Sequence, residues 1–128
     1  MAQFGGVVSA GQTLCLGIWG ATSQGSCLTT GYASDTSFRV FGPLPSAESV
    51  LSLSVVVSTA PNKAPIVITV LDNGVATALT CSIAKGATTC TDPAHSFIAS
   101  AGDFLQVRVA NSSSNTVSKP RYIASFMY

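Results

Sequence analysis

Charged side chains are scarce in this chain. Only 9% of its 128 residues are Asp, Glu, Lys or Arg, and the formal net charge is +1. The six bases are scattered along the sequence at Arg39, Lys63, Lys85, Arg108, Lys119 and Arg121. A nucleic-acid binder needs a concentrated basic patch that neutralises several phosphates at once. The sequence therefore predicts no nucleic-acid partner, and so little surface charge predicts burial of surface against other subunits.

Long apolar runs and a leader segment are also missing. No window of about 18 uninterrupted apolar residues exists, because the most apolar region, 50–71, is broken by Pro61, Asn62, Lys63 and Pro65. Residues 1–6 have neither the basic nor the apolar region of a signal peptide. We therefore expect no membrane partner, and a protein made in the cytoplasm and kept there until something releases it.

Residues that carry chemistry are few. The single histidine, His95, follows Asp92-Pro93, and the five acids (Asp35, Glu48, Asp72, Asp92 and Asp103) lie mainly in or beside turns, where carboxylates cap backbone donors. No phosphate-binding glycine loop, G-x-S-x-G elbow or HExxH motif occurs. The sequence predicts no catalytic residue, no metal site and no cofactor, and a small hydrolase on a β-sandwich has almost no support.

What the chain does contain is strand alternation separated by turns. Leu51, Leu53, Val55 and Val57 are predicted to point one way, and Ser52, Ser54 and Ser58 the other, as in a half-buried antiparallel strand. Ile66, Ile68 and Val70 lead into Asp72-Asn73-Gly74, which is a strong hairpin signal because Asn-Gly tolerates positive φ. Further strands are predicted at 14–19 with 27–31, at 77–83, 87–90 and 96–99, at 105–109 and at 122–128.

This count and spacing predict about seven to nine strands in an all-β antiparallel β-sandwich, of jelly-roll or immunoglobulin-like type. Residues 13–128 form a single domain on this interpretation. The Gly- and Ser-rich segment 1–12 is predicted to be an N-terminal arm, and residues 33–41 are ambiguous. Gly42-Pro43-Leu44-Pro45 is predicted to be a rigid loop, because two prolines fix φ and remove donors.

The four cysteines fall into two candidate pairs. If Lys85-Gly86 is a two-residue hairpin turn, Cys81 lies directly opposite Cys90, at a separation that a disulfide can bridge. Cys15 and Cys27 flank a second turn region, 20–25, in a similar way. Neither spacing is the C-x-x-C of zinc or thioredoxin-like sites. Four buried free thiols are the alternative.

Aromatic residues are the remaining candidates for binding. Tyr122, Phe126 and Tyr128 lie on the predicted terminal strand, and they are candidates for a subunit interface because aromatic side chains bury large areas. Together with Trp19 they could instead form a platform for stacking sugars.

Three segments carry a resemblance to a known family. Residues 55–61, 68–80 and 97–109 resemble the trimeric jelly-roll modules of the TNF/C1q-like type, found in tailed-phage structural proteins and in the heads of bacterial spore-surface fibres. The most specific elements are the N-G turn followed by T-x-L-T, and A-G-D-x-L-x-V-x-V from Ala101. The resemblance implies a homotrimer that acts by binding a surface, with aromatic and small residues packed near its axis.

The leading hypothesis is a noncatalytic capsid decoration or cement protein on the virion surface of a tailed phage, with the major capsid protein as partner. The chain has no collagen-like stalk or coiled-coil heptads, which a fibre tip would need. Cysteine pairs without an export signal also fit a virion, which assembles in a reducing cytoplasm and meets oxidising conditions after lysis. A receptor- or carbohydrate-binding head module of a phage head or tail fibre is the alternative.

The predicted docking element of this hypothesis is the N-terminal arm, with Ala2, Gln3, Phe4, Gly5 and Gly6 as its contact residues. A short flexible segment that lacks its own core can become ordered against a neighbouring protein. A frayed terminus without a function is the alternative interpretation of the same residues.

Overall fold

A computed structural model describes residues 1–18, 24–27 and 40–128 of the chain. The described residues form nine strands and no helix, so they contain nothing of the length and apolarity of a membrane-spanning helix. The strands are β1 (Ala2–Val7), β2 (Thr13–Cys15), β3 (Gly17–Ile18), β4 (Glu48–Val57), β5 (Ile66–Asp72), β6 (Val75–Ile83), β7 (Thr89–Ala99), β8 (Leu105–Asn111) and β9 (Arg121–Met127).

The strands make two antiparallel sheets that pack face to face. The five-stranded sheet has the order β3-β1-β9-β4-β7 and the four-stranded sheet has the order β2-β8-β5-β6. Their inward side chains form one apolar core that includes Phe4, Leu53, Val55, Ile68, Leu79, Val107, Tyr122 and Phe126. The predicted all-β antiparallel β-sandwich is confirmed.

The central hairpin follows the sequence signal closely. Asp72 pairs with Val75 across a two-residue turn in which Asn73 and Gly74 have φ values of 50° and 81°. Both values lie in the left-handed region that a type I′ turn requires and that Asn and Gly tolerate. Ile66, Ile68 and Val70 lie on the strand predicted before this turn, and their side chains are buried.

Strand β4 departs from simple alternation at Ser52. This residue has a φ of 58°, and the pairing register shifts between Leu51 and Leu53. Leu53, Val55 and Val57 are buried as predicted, but the bulge turns Leu51 to the outside, and Val50 takes the inward position. The prediction that Leu51 faces the core is therefore wrong.

The segment 14–19, predicted to be one strand, divides between the two sheets. β2 pairs with β8 in one sheet and β3 pairs with β1 in the other, with Leu16 between them. Gly25, and not the start of a strand at Cys27, pairs with Cys15. Residues 28–31 and 33–39 lie outside the described part of the chain, as does Trp19.

The N-terminal arm prediction for residues 1–12 is wrong, because residues 2–7 are strand β1, which lies between β3 and β9. Ala2, Phe4 and Gly6 face inward, and Phe4 is completely buried against the Phe126 ring, at 5.6 Å between centroids. Gln3 and Gly5 lie on the outward side of the same strand. The glycines let β1 pack closely and do not make it mobile.

The chain crosses from one sheet to the other after Lys85-Gly86. The turn exists, because the Ala87 N–H donates to the Ala84 carbonyl at 2.9 Å, but β6 pairs with β5 and β7 pairs with β4. The predicted β6–β7 hairpin ladder is therefore wrong. The two predicted short strands at 87–90 and 96–99 are also one continuous strand, β7, that includes Asp92-Pro93.

Candidate functional site

Both predicted disulfides are present. Cys15 is bonded to Cys27 with a Cα–Cα distance of 5.1 Å, and Cys81 is bonded to Cys90 at 5.8 Å. Because β6 and β7 are the neighbouring edge strands of different sheets, the second bond joins the sheets to each other. The pairing of Cys81 with Cys90 is thus confirmed, although the hairpin from which it was predicted does not exist.

The buried carboxylate of Asp92 also links β6 to β7. Asp92 on β7 accepts hydrogen bonds from the backbone N–H groups of Thr80 on β6, at 3.1 Å, and of Ala94 and His95, each at 3.2 Å. The exposed His95 ring places Nδ1 2.9 Å from both carboxylate oxygens. Burial opposes ionisation of Asp92, but these hydrogen bonds outweigh it and lower its pKa.

The predicted subunit interface on β9 does not lie on the surface. Tyr122 and Phe126 are 1% and 0% exposed, because they are on the inward side of β9. Burial raises the pKa of Tyr122 to about 12, and its hydroxyl has no hydrogen-bond partner among the described residues. Only Tyr128 is exposed, and its ring lies 5.2 Å from that of Phe41. Tyr122 and Phe126 are core residues, so that part of the prediction is wrong.

An exposed apolar surface lies on the other side of the same strand. On the outer face of the five-stranded sheet, Ile123 pairs with Val56 and Met127 pairs with Leu51 across β9 and β4. Val56, Ile123 and Met127 are 46–49% exposed. Grouped, exposed apolar side chains of this kind are a feature of many protein-binding surfaces.

Polar residues on this outer face are almost all uncharged. The pairings place Gln3, Gly5, Ser49, Ser54, Ser96, Ser125, Thr89 and Thr91 around the apolar group. Among the outward positions that these pairings define, Arg121 at one end is the only charged residue. A surface with so little fixed charge loses less solvation energy than a charged one when another protein covers it.

The sequence contained a signal for this face. In 122–128 the residues alternate, so if Tyr122 and Phe126 point inward, Ile123 and Met127 must point outward. The prediction gave the aromatic residues to the interface because of their size. Both sides of β9 are apolar, however, and residue size alone does not say which side faces the core.

Four of the six bases lie at one end of the sandwich. Lys63 lies in the β4–β5 connection, Lys85 in the β6–β7 turn, Lys119 in the β8–β9 connection and Arg121 at the start of β9. These segments lie at the same end: Gly86 N–H donates to Pro61 O at 2.9 Å, and Asn62 donates to Thr116 Oγ1. All four side chains are exposed.

Three of the five acids lie at the opposite end. Glu48 begins β4, Asp72 ends β5, and Asp103 lies just before β8. Asp103 is 2.8 Å from Asn73 of the hairpin turn, and the nearby backbone carbonyl of Asp103 accepts from Leu44. The described part of the molecule therefore has a basic end (Lys63, Lys85, Lys119 and Arg121) and an acidic end (Glu48, Asp72 and Asp103).

Two carboxylates at the acidic end are in different environments. Burial raises the pKa of Asp72 to about 6, and the charge of neighbouring Asp103 adds to the shift. Burial also opposes ionisation of Asp103, but hydrogen bonds from the Ser100 N–H at 2.7 Å and from the Asn73 amide outweigh it and lower its pKa. Asp103 therefore ionises at lower pH than Asp72, which takes up its proton as the pH falls through about 6.

Removing these carboxylates should change stability in opposite directions. The folded pKa of Asp72 lies above its unfolded value, so its ionisation costs stability as the pH rises towards about 6. We expect Asp72→Asn to stabilise the protein at pH 7 by up to about 1 kcal/mol, reduced by solvent screening, and the gain to vanish below about pH 4. Asp103→Asn should destabilise it at pH 7. Thermal melts between pH 4 and 8 measure both, and shifts in the same direction would contradict this account.

The described residues hold no group of three His, Cys, Asp or Glu side chains placed to bind a metal ion. No family model, no curated protein and no solved structure matches this chain. The surfaces that its own geometry offers are the outer face of the five-stranded sheet, the two charged ends and the joined edges of the sheets.

Proposed function

We propose that this protein is a noncatalytic structural protein of a virion, a decoration or cement protein that forms a homotrimer and stabilises the outer shell of a tailed phage by binding its major capsid protein. The observation that carries the proposal is the uncharged apolar outer face of the five-stranded sheet. That surface suits permanent burial against protein. The threefold stoichiometry comes from the family resemblance.

The strand pairing supports the jelly-roll part of the proposal. β5 pairs with β6, β4 with β7, β2 with β8 and β1 with β9, so the pairs are nested around the Asn73-Gly74 turn. This is the order produced when one long hairpin is wrapped into two sheets, the arrangement of a jelly roll. TNF/C1q-like modules have that architecture, and the family resemblance implied it.

The two disulfides support a protein that works outside the cell. In an ordinary cytoplasm these four cysteines would be kept as reduced thiols. A shell protein that is released by lysis meets oxidising conditions while it must remain folded. Cross-links formed then would add to the durability of the particle.

The basic end supports the docking step. With β1 inside a sheet, docking by an N-terminal arm has no structural basis, and a loop surface must take its place. Lys63, Lys85, Lys119 and Arg121 lie at one end, and no acid is found among the described residues of these loops. An acidic patch on the assembled shell would complement this end. Binding to the assembled shell and not to free subunits stabilises the shell by mass action.

The trimer is tested by placing charge on the outer face. Sedimentation of the wild-type protein should give about three times the 13.0 kDa chain mass. Ile123→Lys with Val56→Lys should give folded monomers, because burying two unpaired ammonium groups costs several kcal/mol. Val67→Lys is the matched control, since Val67 is equally exposed on the four-stranded sheet. A monomeric wild type, or dissociation by the control alone, would refute the interface.

Docking is tested on particles. Lys63→Glu with Lys119→Glu should reduce occupancy of the shell at least about tenfold and remove the protein's effect on the thermal disruption of the particles. Arg108→Glu, which reverses a charge in the middle of β8, is the control. Copy number also discriminates: hundreds of copies per particle indicate decoration, and a few copies indicate the fibre-head alternative.

A further inference from the structure

A pocket at the acidic end has no role in the proposed trimer or docking surfaces. It has a volume of about 280 Å³ and lies between the 41–45 loop, the start of β4 and Tyr128. Its walls include the rings of Phe41 and Tyr128, the prolines Pro43 and Pro45, and the Glu48 side chain. This volume is close to the lower limit for ligand pockets and suits a molecule of a few heavy atoms.

The two aromatic rings form one corner of the pocket. The ring centroids of Phe41 and Tyr128 are 5.2 Å apart, and the ring planes meet at 51°. The Phe126 ring packs edge to face against the Phe41 ring, with 6.4 Å between the two ring centroids. Aromatic faces carry negative potential, so two rings inclined in this way favour a cation with an apolar body.

The polar groups of the pocket accept hydrogen bonds much more readily than they donate them. Pro43 and Pro45 have no N–H, and the N–H groups of Phe41 and Leu44 donate to Leu105 O at 2.8 Å and Asp103 O at 3.0 Å. Glu48 contributes a carboxylate, and none of the lining residues is basic. An anion would therefore find no cationic partner among the lining residues.

The surrounding charge acts in the same direction. Asp103 and Asp72 lie at the same end as Glu48, and the four described loop bases lie at the other end. A surface of one sign concentrates ions of the opposite sign. The electrostatic field of the acidic end and the residues that line the pocket therefore both favour a cation.

We propose that the pocket between Phe41 and Tyr128 binds a small alkylammonium cation, with its apolar groups against the two rings and its charge facing Glu48. Quaternary ammonium is the best match to the two rings, because its positively charged methyl groups can lie against both aromatic faces. The inference depends only on these residues and not on the virion assignment.

The test is an NMR titration of the full chain at pH 7 with choline and with 3,3-dimethylbutan-1-ol, its uncharged isostere. We expect saturable shifts confined to 41–48 and 126–128, with the isostere about tenfold weaker. Phosphocholine should bind at least about threefold more weakly than choline, because its phosphate meets the acidic end. Tighter binding of phosphocholine would instead indicate a headgroup site and overturn the cation-only pocket.

Substitutions of the lining residues test whether choline binds in this pocket. Glu48→Gln and Tyr128→Leu should each weaken choline binding by about threefold to tenfold, and Tyr128→Phe, which keeps the ring, should bind more tightly than Tyr128→Leu. Asp72→Asn, at the same end but outside the pocket, is the control for the general field and should change affinity less than Glu48→Gln. Equal affinity for choline and the isostere, no saturable binding, or full affinity in Glu48→Gln would each refute the proposal.

Discussion

Phe4→Ala should lower the free energy of unfolding by about 3–5 kcal/mol, the largest effect that we expect from a single substitution in this chain. Phe4 is completely buried on β1, between β3 and β9, and its ring packs against Phe126. Truncation leaves a cavity in the core beneath β1, beside the Phe126 ring. Chemical denaturation monitored by near-ultraviolet circular dichroism measures the change.

The matched control is Gln3→Ala, one residue earlier on the outward side of the same strand. It should change stability by less than about 0.5 kcal/mol, as most surface substitutions do. A free arm would give a different result, because neither substitution would then affect unfolding. Deleting residues 1–8 should likewise abolish folding and not merely prevent docking. Wild-type stability of Phe4→Ala would show that β1 is not part of the fold.

The sequence predicted correctly those strands and turns whose position depends only on residues close together in the chain. The Asn73-Gly74 turn needs only two residues that tolerate positive φ, and those residues identify it in any context. The alternation in 66–70 and 105–109 likewise requires only one buried side. For such elements the sequence contains the whole explanation, which is why β5, β6 and β8 appear where the pattern placed them.

The partner sheet of each strand is not a local property. Ala84 to Ala87 forms the expected turn, yet β7 leaves it for the opposite sheet and pairs with β4. A two-residue turn signal is the same whether the chain returns beside itself or crosses the sandwich. The distinction depends on β4, about thirty residues earlier, having a free edge at that point. Glycine content misled in the same way for residues 1–12, since close packing and mobility both favour glycine.

The charged ends show why scattered residues can form a site. Antiparallel strands bring every second connection to the same end, so Lys63, Lys85 and Lys119, far apart in sequence, lie in neighbouring loops. The positions of the bases along the sequence do not show that they share one end until the strand order is known. The basic end, and with it the docking surface, follows from topology and not from sequence clustering.

Removing the bond between Cys81 and Cys90 is the other change with a large expected effect. Cys81→Ala with Cys90→Ala should cost about 2–3 kcal/mol on the chain-entropy model and lower the melting temperature by about 10 °C. The bond closes a sequence separation of 9, against 12 for Cys15–Cys27, so entropy alone predicts nearly equal losses for the two pairs.

The positions of the two disulfides in the fold predict that removing them has different effects on local opening. Cys81 and Cys90 join the edges of two sheets that no backbone ladder connects at that side, where Asp92 accepting from the Thr80 N–H is the nearest other link. Without the bond, β6 should separate from β7 in local openings, and amide exchange should accelerate along 75–83 while β1 and β9 stay protected. Cys15→Ala with Cys27→Ala, the matched control, should leave exchange in β6 unchanged. Equal exchange in β6 for both double variants would mean that Asp92 and the core alone hold the edge closed.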